Sequence, residues 1–168
     1  GTPNFGGKTV VGNGNFFMSY THIAHDCKVG NSNIFANCAT LAGHVEIGDF
    51  VNIGGMTPIH QFAKVGSYCM IAGGSALSQD IPPYCIAEGN RAKIRGLNRY
   101  TLRKKFSREE IDTIAHVYKM MFRGIMPLKE QASLINDEYK GLYFIEDFCN
   151  FILNSKRGIP FVRNSNEC

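Results

Sequence analysis

The sequence predicts a parallel β-helix followed by a small α-helical domain, and three observations carry that prediction. Twelve consecutive hexads in one frame begin with an aliphatic residue or Phe: Val11, Phe17, Ile23, Val29, Phe35, Leu41, Ile47, Ile53, Ile59, Val65, Ile71 and Leu77. The next position is almost always Gly, Ala or Ser. The residue four after each starter is mostly small or apolar, as at Cys27, Ala39, Val45, Val51, Ala63 and Cys69. Beyond Pro82-Pro83 the period is lost and helical patterning replaces it. A six-residue period marks a β-helix because each hexad supplies one short strand and a turn. Three hexads close one triangular coil, so residues eighteen apart stack at roughly 4.8 Å.

The elements follow in order. Residues 1–83 form the β-helix, which ends where two prolines remove ladder donors. Residues 84–106 read as an extended connector through Gly89-Asn90 and Gly96, then a short basic helix from Asn98 to Phe106. Residues 107–168 form the α-helical domain. Ser107-Arg-Glu-Glu110 is a capping box ahead of the stripe Ile111, Ile114, Ala115, Tyr118 and Phe122, which stops at Gly124. Pro127 opens a second helix through about Tyr139, and Leu142 to Leu153 gives a third. These helices are placed to cover a coil edge that would otherwise invite strand pairing.

Charge divides at the same seam. Residues 1–88 carry three Lys and five acids, while the whole chain has a net charge of +4, so the remainder holds a +6 excess. Much of it lies in Arg91, Lys93, Arg95, Arg99, Arg103, Lys104, Lys105 and Arg108, with no acid between Glu88 and Glu109. Such a belt is either a solvated face or a site for a phosphate-bearing ligand or acidic protein. It lacks the stacking aromatics of nucleic-acid modules. The six cysteines (27, 38, 69, 85, 149 and 168) form no CxxC pair, which fits free thiols in a reducing, cytoplasmic compartment. No apolar run approaches the length of a transmembrane helix, and the first residues do not read as a signal peptide.

Four of the five histidines fall between residues 22 and 60. Ile23, Leu41 and Ile59 stack in one column, so His25, His44 and His60, one to three residues beyond them, lie near one corner with His22 beside them. Their interior slots are filled, which turns the imidazoles outward. An imidazole of reference pKa about 6.5 suits a general base toward a hydroxyl. A zinc triad is the other use, although an eighteen-residue stagger spreads the rings over three layers. His25 is the best base. Asp26 either restrains its ring or serves only as a turn residue. Gly43 is placed for a backbone N–H to approach a reacting carbonyl, or is simply permissive in a turn.

Several motifs resemble those of bacterial UDP-N-acetylglucosamine acyltransferases. They are His-Ile-Ala-His-Asp-Cys (22–27), Leu-Ala-Gly-His-Val (41–45), Ile-Gly-Gly-Met-Thr (53–57), His-Gln-Phe (60–62), Gln-Asp-Ile-Pro-Pro-Tyr (79–84) and Phe-Ser-Arg-Glu (106–109). The resemblance runs along essentially the whole chain. It implies a left-handed β-helix, a homotrimer with sites between subunits, and no cofactor or metal. The implied reaction transfers an (R)-3-hydroxyacyl chain from acyl carrier protein to the 3-hydroxyl of UDP-N-acetylglucosamine, the first step of lipid A biosynthesis. By motif, His25 resembles the general base, Asp26 its supporting carboxylate and the Gly43 amide the oxyanion donor. His22, His44, His60 and Gln61 match positions that arrange sugar, nucleotide and donor. Gly73 resembles the position that sets acyl-chain depth, and a Gly there implies a long chain. Asn98, Arg103, Lys104 and Lys105 resemble nucleotide and phosphate contacts.

Two departures stand out. The family usually carries Arg-Arg-Gly-Phe where this chain has Lys104-Lys105-Phe106, and Lys lacks the planar fork of Arg. The family also has further coils upstream, so the chain reads as a fragment or truncated homologue. Alternatives are an N-acyltransferase acting on a related amino sugar, a zinc lyase or hydrase, and a non-catalytic module that binds acyl carrier protein.

Overall fold

The structure is a computed structural model that describes residues 2–162. After a 3-10 turn at Pro3–Phe5, eleven two-residue strands repeat every six residues. They build three parallel faces. The first holds β1 (Val10–Val11), β4 (Lys28–Val29), β7 (Glu46–Ile47) and β10 (Lys64–Val65). The second begins with β2 (Phe16–Phe17), β5 (Ile34–Phe35), β8 (Asn52–Ile53) and β11 (Met70–Ile71). The third holds β3 (His22–Ile23), β6 (Thr40–Leu41) and β9 (Pro58–Ile59). Among these eleven strands every register is eighteen residues, as in His22↔Thr40↔Pro58. The solenoid is left-handed. Parallel crossovers take the opposite hand because twisted strands feed them, and two-residue strands carry too little twist to impose it.

From the second coil onward the starters are buried, including Val29, Phe35, Leu41, Ile53, Ile59 and Ile71, and the small slots Cys27, Ala39, Val45, Ala63 and Cys69 are fully enclosed. Each buried starter contributes roughly 1.5–3 kcal/mol of transfer free energy. The first-coil starters Val11 and Phe17 are 43% and 37% exposed. Five cysteines are free thiols among the described residues, and Cys168 lies outside them.

A second periodicity was not visible in the sequence. The fourth position of the first eleven hexads is left-handed in φ, at Tyr20, Asp26, Ser32, Cys38, His44, Phe50, Met56, Phe62 and Tyr68, with Gly14 and Gly74 at the ends of the series. A Cβ in this region costs roughly 1–2 kcal/mol, so coil closure and core burial impose it against local preference. At the first corner, side chains repair the turn amides. Asn31 accepts from the Asn13 amide (2.8 Å), Asp49 from Asn31 (2.6 Å) and Ser67 from Asp49 (3.0 Å).

The expected extended connector is instead a β-hairpin. β12 (Cys85–Glu88) adds in parallel to β11, and β13 (Lys93–Leu97) turns back antiparallel to complete the second face. The Ile94 amide then donates to the Pro160 carbonyl (2.8 Å) at the outer edge. Four helices follow: α1 (Arg99–Lys105), α2 (Arg108–Arg123), α3 (Leu128–Glu138) and α4 (Tyr143–Asn154). The Ser107–Glu110 capping box is formed at both of its hydrogen bonds. Two contacts lock the helices to the solenoid. The buried Tyr84 hydroxyl donates to the Phe144 carbonyl (2.8 Å), and the buried Asp80 carboxylate accepts from the Lys64 amide (2.8 Å) and the Ser155 hydroxyl (2.6 Å). Among the described residues no helix is long and apolar enough to cross a membrane.

Candidate active site

The third corner of the prism, between the third and first faces, carries Asp26, His44 and Phe62 in one left-handed column, eighteen residues apart. Asp26 is thus a turn residue and also the partner of His25. Successive strand side chains point to opposite faces, but the left-handed residue swings the carboxylate back toward its neighbour. His25 Nδ1 lies 2.8 Å from Asp26 Oδ2. The same oxygen accepts from the Thr2 amide at 2.9 Å. The His25 contact first, and then the Thr2 amide, hold the Asp26 carboxyl down at about 2 against the opposing effect of desolvation. Asp26 is therefore ionised at neutral pH and favours the tautomer with the proton on Nδ1, leaving Nε2 as the basic atom. The His25 side chain is 52% exposed, so Nε2 is open to a ligand.

His44 closes one side. Its ring meets His25 edge-on with centroids 5.1 Å apart, and its Nε2 is 3.9 Å from Asp26 Oδ2. Phe62 stacks on its other face at 4.5 Å. Gly43 is buried beneath the His25 ring. A Cβ there would come 2.6 Å from His25 Cε1 and 2.7 Å from Nε2, so only glycine leaves the ring where it is. At the first corner the equivalent amides of Asn13, Asn31 and Asp49 are capped by side chains. At the third corner that position holds His25, Gly43 and Gln61, and the Gly43 amide has no acceptor among the described residues.

The other sequence candidates are more scattered. His22, His60 and Gln61 are exposed on the same edge, and none of them hydrogen-bonds to the His25–Asp26 pair; His60 Nδ1 instead lies 3.2 Å from the Gln61 carbonyl. The column expected to join His60 to His25 and His44 delivers Phe62 in its place. Gly73 is at the second corner, facing Gly55 of the coil before. A Cβ at Gly73 would make only ordinary contacts, the nearest 3.4 Å from the Gly55 carbonyl oxygen. The chain's own packing does not require glycine there.

Asn98 is buried. Its Nδ2 donates to the Tyr68 carbonyl (2.9 Å) and to Thr101 Oγ1 (3.0 Å), and its Oδ1 caps α1, so this side chain is committed to the fold. Arg103, Lys104 and Lys105 are exposed on the last turn of α1, with Lys105 over the Phe50 ring and Lys104 over Tyr100. Phe50 and Tyr68 belong to the first corner, a different edge of the prism from His25.

A cleft of about 500 Å³ runs from Asp26 and His44 toward Lys28, Lys64, Lys156 and Arg157. The sequence reading overlooked Phe62, Lys156 and Arg157. The eighteen-residue column points to Phe62, but no local signal marks the other two. His25, Asp26 and His44 offer ligand atoms within 4.8 Å of one another, a tighter donor set than the three-layer stagger suggested. It is two imidazoles and a carboxylate, not three imidazoles.

A left-handed solenoid of hexads is the fold of the hexapeptide-repeat class. The bacterial transferase hexapeptide (six repeats) model matches residues 8–43, and the UDP N-acetylglucosamine O-acyltransferase, domain 2, model matches residues 80–160. The chain belongs to the UDP-N-acetylglucosamine O-acyltransferase family. It is 53% identical over 164 residues to the acyl-[acyl-carrier-protein]–UDP-N-acetylglucosamine O-acyltransferase of Aliarcobacter butzleri, covering 97% of this chain and 63% of that protein. The enzyme of the same name from Campylobacter jejuni strain 81116 is 56% identical, with 99% of this chain and 62% of that protein covered. Among solved structures, UDP-N-acetylglucosamine acyltransferase from Campylobacter jejuni superimposes with a TM-score of 0.92 at 53% identity, over 97% of this chain and 64% of that one. The Francisella novicida enzyme gives 0.92 at 36% identity, over 98% and 61%. The chain therefore spans a little over three-fifths of the length of the relatives it matches.

Proposed function

We propose that the chain carries the catalytic edge of an O-acyltransferase that moves an (R)-3-hydroxyacyl group from acyl carrier protein to the 3-hydroxyl of UDP-N-acetylglucosamine, in the cytoplasm. The observation that carries this is the third corner. A base oriented through Nδ1 by an ionised carboxylate has its side chain half exposed, beside a backbone amide with no acceptor among the described residues. His25 Nε2 takes the proton of the sugar hydroxyl as its oxygen attacks the thioester carbonyl. The tetrahedral oxyanion forms against the Gly43 amide. When the C–S bond breaks, the proton on Nε2 passes to the departing thiolate. His22, His60 and Gln61 line the edge where sugar and donor lie, His44 and Phe62 wall it, and the bare backbone at Gly73 leaves room for a long acyl chain.

The cations of α1 sit on another edge of the same chain, which supports a homotrimer in which one subunit's His25 faces a neighbour's Arg103, Lys104 and Lys105. Asn98 serves that contact by holding α1. Two variants test the scheme together. His25→Ala and the Lys104→Ala/Lys105→Ala double should each lose turnover while staying folded and trimeric. Refolded together in equal amounts, they should regain activity in about a quarter of the sites, because each mixed interface can pair the two intact halves. Near-normal activity of His25→Ala overturns the base assignment, and absent complementation overturns the shared site. Turnover with the 3-amino sugar alone would make the chain an N-acyltransferase. Donor binding without turnover by the unaltered chain would make it a binding module.

A second reading, a zinc-dependent lyase or hydrase, is favoured by the His25, Asp26 and His44 donor set and by the buried Asp26 Oδ1, which has no hydrogen bond among the described residues. Stoichiometric zinc in the purified protein, with loss of activity on chelation, would displace the acyl-transfer mechanism.

A further inference from the structure

The basic belt of residues 91–108 does not stay together in three dimensions. Lys104 and Lys105 lie over rings on α1 and at the first corner. Arg95 and Arg99 instead reach a separate cavity of about 470 Å³ between β13 and α2, where Lys119 and Arg123 join them. Its lining holds four cations and no acid, and none of the four forms an ion pair among the described residues. The cavity shares no residue with the cleft beside His44.

A merely solvated face explains this arrangement poorly. Arg123 lies in the last turn of α2, where the helix dipole welcomes a cation, but Arg99 opens α1, where the dipole opposes one. Apolar side chains line it too, the buried Phe122 with Leu97 and the half-exposed Val162. Tyr118 also lines it. Burial pushes its phenol up to about 12, so it remains an O–H donor at working pH, and the hydroxyl makes no hydrogen bond among the described residues. Guanidinium forks meet phosphate oxygens two at a time. The volume lies in the range of small-molecule pockets.

We propose that this cavity binds a phosphate monoester carried on a small apolar body, with Arg95, Arg99, Lys119 and Arg123 around the phosphate and the Phe122 side of the cavity against the apolar part. The site goes beyond acyl transfer and does not rest on it. It does touch the same machinery, because β13 runs directly into the Asn98 cap of α1. A ligand that bridges β13 and α2 fixes the helix bearing Lys104 and Lys105.

Isothermal titration calorimetry on the whole chain tests this with three probes: dihexanoyl phosphatidic acid below its micelle concentration, inorganic pyrophosphate, and dihexanoyl phosphatidylcholine. Phosphatidic acid should bind saturably at one site per chain and weaken as salt rises. Arg95→Ala/Arg123→Ala should lower that affinity about tenfold or more, as the loss of charge-assisted contacts requires. Lys119→Glu should do the same, and Lys104→Ala/Lys105→Ala should not. All the replaced side chains are exposed, and thermal unfolding confirms that each variant is folded. Pyrophosphate binding as tightly as phosphatidic acid would overturn the apolar half of the site, and equal binding of phosphatidylcholine would overturn the phosphate half. No saturable binding, or an equal loss in the Lys double variant, overturns the whole proposal.

Discussion

Replacing Gly43 by Ala adds one methyl group at the point where the candidate base is held. A Cβ built there lies 2.6 Å from His25 Cε1 and 2.7 Å from Nε2. Ordinary carbon contacts begin near 3.5 Å, so the ring must retreat by roughly 0.9 Å. Gly43 does not have a left-handed φ, so its backbone accepts Ala, and the ring is 52% exposed and can swing into solvent. The fold is therefore spared while the 2.8 Å contact to Asp26 and the aim of Nε2 are lost. A misplacement of about 1 Å at a reacting group costs on the order of 10²-fold in rate. Steady-state acyl transfer, with both substrates varied, should show kcat falling by about that factor with KM and thermal stability little changed. A kcat within about threefold of the unaltered chain would refute the idea that ring position limits the reaction.

Asp26→Asn keeps a residue that tolerates left-handed φ but loses the ionised partner, and kcat should fall by on the order of 10²–10⁴-fold, by analogy with carboxylate loss in other imidazole-base enzymes. Asp26 has its carboxyl held at about 2, below the ordinary 3.8, so its contact stabilises the fold above the unfolded value and is lost as pH falls through about 2. Unfolding curves of the unaltered and Asp26→Asn chains should therefore converge between about pH 4 and 2. Gly73→Met should leave stability within about 0.5 kcal/mol, because its Cβ meets nothing closer than 3.4 Å, while shifting donor preference to shorter acyl chains in a competition assay. Tyr84→Phe removes the bond to the Phe144 carbonyl, which keeps its place in the α4 ladder, and should cost about 0.5–1.5 kcal/mol in urea unfolding, with turnover per folded chain unchanged.

The period of six was legible because the solenoid interior is a strict filter. One starter and one small slot per hexad must fit, and Ile53, Ile71, Val45 and Ala63 obey it without exception. The left-handed column was hidden because Tyr, Cys, Phe and Met carry no local preference for that conformation; closure of the coil imposes it. That hidden column explains how the candidate site departs from expectation. Asp26 meets its chain neighbour His25 because its backbone is left-handed, and the third coil presents Phe62 to His44 while His60 stays two residues before it. The hairpin of β12 and β13 was masked by Pro82-Pro83 before it and Gly89-Asn90 in its turn, which read as breaks although the chain resumes pairing after each. Lys119 and Arg123 were separated from the basic belt by the α2 sequence and are joined to it only by helix packing against β13.

A repeat that stacks every eighteenth residue offers each corner the same backbone, so chemistry has to arise from departures at particular corners. At the first corner Asn31, Asp49 and Ser67 occupy one hexad position, and each accepts the amide of the coil before. That ladder satisfies donors and leaves nothing to react. At the third corner the same position passes through His25, Gly43 and Gln61. The ladder acceptor is gone, an imidazole lies over a residue without a side chain, and the amide beside it has no partner among the described residues. Stability at this corner comes from the enclosed Cys27, Val45 and Ala63 beneath it rather than from polar repair of the turn. Hydrogen-bonding capacity that the first corner spends on folding is thus available to a substrate at the third, on a backbone fixed by the coils above and below.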